Sequence, residues 1–307
     1  MQVTRSIASR PFGRDGDFEK LATFVQRAAL ASERPELNLH MGDLAWRCYR
    51  SAEFDAKNAI HLWEDKETAE LLGMGWYTSA HHGIDIVIDP AVRDVGLEKR
   101  VLRWGEMRFR NVPFEERGYA QLKVQLHDWD QAKRQMLTDA GFRSDMFHYV
   151  WYRFDLNQEI HPPALPDGYE IRLLGPDEHS WRAKLHNKAF FTDDVTEESY
   201  KRLTETPIYQ ERAIDLVMIA PNGKLAAFAL GWLDTERKVG IFEPVGVRPK
   251  YRRTGLAKAI VLEGMARFKA AGMQVAQVYT ESPNLPAQRL YRSAGFDMAG
   301  RQFDWTK

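Results

Sequence analysis

Cysteine is almost absent from this chain of 307 residues, in which Cys48 is the only one. A single thiol excludes a disulfide framework and a cysteine-rich metal site, and it is typical of a reducing compartment. No apolar run approaches the roughly 20 residues that a membrane span needs. The N-terminal stretch also lacks the apolar core of a secretion signal. We therefore expect a cytoplasmic protein with no membrane partner and no metal.

Net charge is absent as well, because 43 basic residues balance 43 acidic ones. This balance excludes a general nucleic-acid or membrane surface, so any preference for anions must be local. Two well-known phosphate-binding motifs are also missing. The chain has neither G-x-x-x-x-G-K-[ST] nor G-x-G-x-x-G.

The chain contains two similar halves. The proline-rich stretch "HPPALPDG" predicts a linker at 158–168 between domains 1–157 and 169–307. Four segments recur across it in the same order, at offsets of 154 to 159 residues. One pair is "AVRDVGLEKRVLRWGEMRF" and "KYRRTGLAKAIVLEGMARF". We predict two copies of one α/β unit.

A local burst of positive charge stands in the second copy. The window of residues 248–258 contains no acidic residue and five basic ones, which are Arg248, Lys250, Arg252, Arg253 and Lys258. The stretch joins a strand pattern to a helix pattern, so it places a loop at a helix N-terminus, where unpaired N–H groups favour an anion. Gly255 permits close approach to the backbone, and we expect the neighbouring Thr254 to cap the helix. A solvated charged surface is the alternative interpretation.

Two motifs in the second half resemble those of the GNAT superfamily of N-acetyltransferases. The first, R/Q-x-x-G-x-G/A, is met by Arg252, Gly255 and Ala257. The second, N-x-x-A-x-x-L-Y-x-x-x-G-F, is met by Asn284, Ala287, Leu290, Tyr291, Gly295 and Phe296. Tandem members of the superfamily exist, and the layout here is similar to that of mycothiol synthases.

The resemblance implies two tandem GNAT domains, each an α/β fold with a mixed, largely antiparallel sheet flanked by helices. It implies acetyl-CoA as cosubstrate, with its pantetheine arm on Val245, Gly246 and Val247. Asn284 and Arg289 would add further contacts. The pyrophosphate would lie on the loop of Arg252, Arg253, Thr254, Gly255, Leu256 and Ala257.

Two residues are candidates for catalysis. Tyr291 matches the family position that serves as general acid, and a phenol is protonated at neutral pH. Glu243 is the candidate base, because strand alternation would place it on one side with Val245 and Val247. Glu281, beyond the next strand, is the reserve, and an exposed carboxylate without a role is the alternative for both.

The first copy lacks the features that the chemistry needs. The window of residues 89–99, which corresponds to 248–258, has three acids and two bases. Leu137 stands where the second copy has Tyr291, and Glu98 replaces Ala257. We expect this domain to be degenerate, with no catalysis and weak binding of CoA or none.

The leading functional hypothesis is an N-acetyltransferase that moves an acetyl group from acetyl-CoA to a primary amine of a small molecule, by direct attack, in the C-terminal domain alone. A non-catalytic acyl-CoA sensor and an aminoacyl transferase of the same fold are the alternatives. Neutral net charge argues against RNA as a partner. We expect a monomer or a homodimer.

Overall fold

The computed structural model describes residues 6–35, 38–51, 53–92 and 95–307. The chain divides into two compact units, each of them discontinuous in sequence. Unit 1 comprises Met1–Leu39, Asp55–Tyr149 and Gly300–Lys307, and unit 2 comprises His40–Phe54 and Val150–Ala299. The sequence instead predicted two contiguous domains, 1–157 and 169–307. The expected boundaries themselves stay a prediction.

Unit 1 is built from a sheet in the order β1-β2-β3-β4-β5-β12, in which β12 is Asp297–Thr306. All its pairs with recorded register are antiparallel except β4 with β5, which is parallel. Its core includes Val124, Leu126, Leu137 and Trp305. Its strands are β1 (Ile7–Pro11), β2 (Ile60–Asp65), β3 (Leu71–Thr78), β4 (Gly83–Ile88) and β5 (Lys123–His127), and its helices are α1 (Asp17–Leu30), α3 (Ala56–Ala59), α4 (Val95–Arg110), α5 (Phe114–Arg117) and α6 (Gln131–Asp139).

Unit 2 is built from a sheet in the order β6-β11-β10-β9-β8-β7. Its strands β7 to β10 pair antiparallel with their neighbours, whereas β10 and β11 are parallel. Its strands are β7 (Glu170–Leu173), β8 (Ala213–Ile219), β9 (Leu225–Asp234), β10 (Val239–Val247) and β11 (Val275–Glu281), and residues of β6 (Arg143–Asp155) and β12 (Asp297–Thr306) belong to both units. Its helices are α2 (Met41–Tyr49), α7 (His179–Phe190), α8 (Glu197–Thr204), α9 (Pro207–Arg212), α10 (Leu256–Ala270) and α11 (Leu285–Ser293).

Strand β9 shows why this sheet is covered on both faces. Its sequence, LAAFALGWLD, is apolar almost throughout, and nearly every residue is buried. Such a run is typical of a strand with helices on both sides, and β9 contacts both α7 and α10. Gly231 and the neighbouring Gly240 of β10 make room for the ring of Phe268, which a Cβ at either position would approach within 2.5 Å.

The expected fold class is confirmed, since each unit has a mixed, mostly antiparallel sheet with helices. Strands β8 and β9 form a hairpin, with Gly223 at a φ of 73° in the turn between them. No helix in the described part of the chain is long and apolar enough to cross a membrane. The cytoplasmic location stays a prediction.

Candidate active site

Strands β10 and β11 pair over only part of their length. Their register runs from Val239 with Val275 to Phe242 with Val278, and no pair is recorded beyond. On its other side β10 pairs with β9 up to Phe242 and again from Val245, with a register shift between. This shift is a bulge, which leaves Glu243 and Pro244 out of the ladder. A gap therefore opens between Val245–Val247 and the end of β11.

The backbone of β10 faces this gap with N–H groups that β9 does not pair. The N–H of Arg248 donates to the carbonyl oxygen of Ala226 on β9, at 2.9 Å. Because hydrogen-bonding direction alternates along an antiparallel strand, Gly246 also faces β9, and Val245 and Val247 direct their N–H and C=O groups away from it. Gly246 itself is required by packing, since a Cβ there would lie 2.5 Å from the ring of Phe228.

The loop after β10 presents a row of backbone donors. Gly255 is the N-cap of α10 and has a φ of 84°, in the left-handed region that favours glycine. The first hydrogen bond into the helix runs from the Ala259 N–H to the Gly255 carbonyl oxygen. The N–H groups from Arg253 to Lys258 have no partner recorded among the described residues. Six consecutive free N–H groups at a helix N-terminus suit a phosphate.

Two side chains of this loop donate to backbone carbonyl oxygens nearby. The prediction that Thr254 caps α10 is wrong, because its hydroxyl donates to the carbonyl oxygen of Tyr251 at 2.6 Å and the helix has no side-chain cap. The guanidinium of Arg252 donates to the carbonyl oxygens of Val247 and Ala189, at 3.2 and 2.6 Å. Arg252 thus holds the loop against the end of α7, and its backbone N–H donates to Pro249.

Glu243 lies in the bulge with its carboxylate held by two donors. Its side chain is 13% exposed. The hydroxyl of Tyr279 donates to Oε1 at 2.5 Å, and Nε2 of His40 lies 3.3 Å from Oε2. Burial raises the pKa of Glu243, while the hydrogen bond from Tyr279 opposes the rise. A carboxylate with a raised pKa beside a strand opening is suited to accept a proton.

His40 is fixed in one tautomer by its neighbours. The backbone N–H of Asp43 donates to its Nδ1 at 3.1 Å, so Nδ1 is an acceptor. Burial lowers the pKa of His40 to about 4, so the ring is neutral near pH 7. Nε2 therefore carries the proton and donates to Glu243.

Helix α2 holds His40 in place by close packing on β9. A Cβ at Gly42 would lie 2.1 Å from Cγ of Trp232, so only glycine fits there. Nε1 of Trp232 in turn donates to the carbonyl oxygen of Glu243 at 2.9 Å. The strand alternation expected for Glu243, Val245 and Val247 is wrong, because the bulge interrupts it and the two valines pack against the core that includes α10 residues.

Tyr291 is the other candidate catalytic residue, and it lies in an aromatic environment. It is 6% exposed, and its ring centroid lies 5.9 Å from that of Tyr152 and 6.1 Å from that of Phe296. No hydrogen bond to its hydroxyl is recorded among the described residues. Burial alone raises the pKa of this phenol. The hydroxyl is therefore protonated at neutral pH.

Residues 178–296 match the Acetyltransferase (GNAT) family. The mycothiol acetyltransferase of Arthrobacter sp. (strain FB24) is 24% identical over 91% of this chain and 90% of its own length. The mycothiol acetyltransferase of Thermobispora bispora is 31% identical over 51% of this chain and 56% of its own length. That of Pseudarthrobacter chlorophenolicus is 25% identical over 69% of this chain and 66% of its own length. Residues 178–296 therefore form a GNAT acetyltransferase domain.

Solved structures agree with this assignment at the level of fold. A tandem GNAT protein from the clavulanic acid biosynthesis pathway has a TM-score of 0.69 at 14% identity, over 98% of both chains. A GCN5-related N-acetyltransferase from Sphaerobacter thermophilus has a TM-score of 0.64 at 19% identity, over 98% of this chain and 95% of that one. The resemblance inferred from the two motifs is confirmed, because the chain contains a GNAT acetyltransferase domain and resembles a mycothiol acetyltransferase over most of its length.

The remaining predicted residues of this GNAT site lie around β11 and α11. Asn284 is the N-cap of α11, and its Oδ1 accepts from the Ala287 N–H at 3.3 Å. Arg289 and Glu281 are exposed. The buried Leu256 offers a ligand only its N–H, because its side chain lies in the core. No group of three or more His, Cys, Asp and Glu side chains suited to a metal lies within the described ranges.

Sequence reasoning missed two residues of this candidate site. Tyr279 lies at the end of β11, two positions before Glu281, and its place on that strand was the available signal. His40 had no such signal, because it stands 203 residues from Glu243 along the chain.

Proposed function

We propose that unit 2 transfers the acetyl group of acetyl-CoA to a primary amine of a small molecule by direct attack. The observation that carries this proposal is the position of Glu243. Its carboxylate stands where β10 and β11 separate, next to unpaired strand amides and a loop of free N–H groups. These are the parts that amine acylation by a thioester requires.

The open edge of β10 suits a pantetheine arm. Val245 and Val247 can pair with the two amide groups of such an arm, as in recognition by strand addition. The N–H groups from Arg253 to Lys258 would then hold the pyrophosphate. Within this loop Leu256 and Ala257 contribute backbone donors, and Arg253 and Lys258 add exposed positive charge. Acetyl-CoA supplies an activated thioester at this place.

Glu243 is the proposed general base. An amine attacks only when its nitrogen is neutral, and the new amide forms with loss of one proton from that nitrogen. The carboxylate receives this proton directly or through one water. Tyr279 and the neutral His40 hold the carboxylate in place and leave it able to accept.

Tyr291 is the proposed general acid. The C–S bond breaks as the amide forms, and the phenol gives its proton to the departing sulfur. Replacement Tyr291→Phe keeps the ring that packs near Tyr152 and Phe296. We expect the variant to reduce kcat at least about tenfold with little change in CoA affinity. Unchanged turnover would show that the acid is another group.

Unit 1 is proposed to be inactive. Its β3 and β4 pair without a register shift, so this pair has no bulge that corresponds to the one at Glu243. Leu137, which aligns with Tyr291, is fully buried in the core and has no acidic group. Arg93 and Asp94 of the corresponding loop lie outside the described residues. These features support catalysis in unit 2 alone.

The test is thiol release from acetyl-CoA across a panel of amines. Deacetylated mycothiol is the first member, because the curated relatives are named mycothiol acetyltransferases. We expect release that depends on one amine and an acetylated product of the corresponding mass. Binding of CoA without turnover on any amine would favour a sensor, and charged tRNA as the only acceptor would favour aminoacyl transfer.

A further inference from the structure

A cavity of about 880 Å³ lies in unit 2 on the α7 side of the sheet. Three elements form it. They are the exposed side of α7 from Trp181 to Phe191, the β8–β9 turn at Gly223–Leu225, and the segment Arg248–Lys250. A volume of this size is typical of sites for small organic ligands.

The cavity is strongly basic. Five cationic side chains line it and no carboxylate does; they are Lys184, Lys188, Lys224, Arg248 and Lys250. None of the five forms an ion pair recorded for the described residues. A cavity whose charged side chains are all cationic attracts an anion.

Two exposed aromatic rings accompany the charges. Trp181 is 58% exposed and Phe191 is 77% exposed. Trp181, Lys184 and Lys188 follow helical spacing of three and four residues, so one ring and two cations share a side of α7. Rings of this kind stack on planar bases, and ammonium groups contact phosphates.

We propose that this cavity is a second binding site, for a nucleoside diphosphate. The phosphates contact the lysines and Arg248, and the base stacks on Trp181 or Phe191. The cavity is bordered by the β8–β9 turn, whereas the gap for the thioester opens on the β11 side of β10.

The test uses ADP as the probe and isothermal titration calorimetry of the full chain. CoA also contains a nucleoside diphosphate, so ADP is titrated both without CoA and with CoA at saturation. With CoA at saturation we expect one equivalent of ADP to bind, and without CoA at least one. The double variant Lys184→Gln/Lys188→Gln should weaken this binding at least about tenfold, because it removes two charged contacts. The control Lys66→Gln/Lys99→Gln, at exposed positions of unit 1, should leave it unchanged.

Three results would overturn the proposal. ADP binding that saturating CoA abolishes and that the double variant leaves intact would place ADP in the loop before α10. A tenfold rise of KM for acetyl-CoA in the double variant, with ADP competing against CoA, would assign the cavity to the cosubstrate. Equal affinity for pyrophosphate and ADP would show that the base makes no contact. A Trp181→Leu variant with wild-type thermal stability but weaker ADP binding would support stacking.

Discussion

Replacement of Glu243 by glutamine isolates the proposed base. The amide has nearly the volume of the carboxylate, and its oxygen can still accept from the Tyr279 hydroxyl. It has no basic site for the proton of the amine. Loss of a general base lowers the rate about 10² to 10⁴-fold, which raises the barrier by about 3 to 5 kcal/mol. We expect kcat to fall by this factor and the KM for acetyl-CoA to stay within about threefold, since the cosubstrate contacts are backbone groups.

The pH dependence gives a second measure of the same residue. Because burial raises the pKa of Glu243, the acidic limb of kcat/KM should lie above the ordinary value of about 4.3 for a glutamate. Activity then falls as the pH drops through that pKa. The stability of the fold depends on pH in the opposite direction. The folded state holds the proton of Glu243 more tightly than the unfolded state does, so protonation of Glu243 stabilises the fold at low pH. This stabilisation is lost as the pH rises through the raised pKa.

Thiol release from acetyl-CoA, followed at pH 5 to 9 with the active amine, measures both effects. Glu281→Gln is the matched control, because Glu281 is an exposed carboxylate near the end of β11. Thermal unfolding of each variant checks that the fold is retained. Wild-type activity in Glu243→Gln together with a large loss in Glu281→Gln would refute the reasoning.

Three further predictions concern the surroundings of the base and the loop. Tyr279→Phe removes a donor that favours the charged carboxylate, so the acidic limb of kcat/KM should move up by about 0.5 to 1 pH unit; no shift would mean that the hydrogen bond is not made in solution. Gly255→Ala forces a side chain onto a φ of 84° at a cost of about 1 to 2 kcal/mol, and steady-state kinetics should show a KM for acetyl-CoA raised about tenfold. Gly42→Ala overlaps Trp232 and should lower the free energy of unfolding by about 1 to 3 kcal/mol, with a lower kcat; a denaturant titration unchanged from wild type would contradict this packing.

The parts of the site that sequence predicted are those built from contiguous residues. The loop from Arg252 to Ala257 carries its own signature, because a positive φ needs glycine and a helix N-terminus follows directly. The second motif is also a contiguous stretch, and the structure has its Asn284 at the start of α11 and its Tyr291 within that helix. The repeated segments also predicted two copies of one fold, and each unit has a mixed sheet with helices.

The parts that sequence did not predict depend on contacts between distant segments. Glu243 was a candidate on the basis of simple alternation, but a bulge sets its position. His40 reaches it from a helix in the first third of the chain, through packing of Gly42 on Trp232. Thr254 was expected to cap α10, but its hydroxyl donates to the carbonyl oxygen of Tyr251 instead. Composition and periodicity do not show which of several possible hydrogen-bond or packing partners a side chain contacts, because this depends on distances in the folded structure.

The central claim is one thioester site per chain, located in unit 2. Calorimetric titration of the full chain with CoA, with ADP present to occupy the α7 cavity, counts these sites directly. We expect one equivalent of CoA, whose affinity falls about tenfold in Gly255→Ala. Two equivalents at similar affinity, or one equivalent that Gly255→Ala leaves unchanged, would contradict the account.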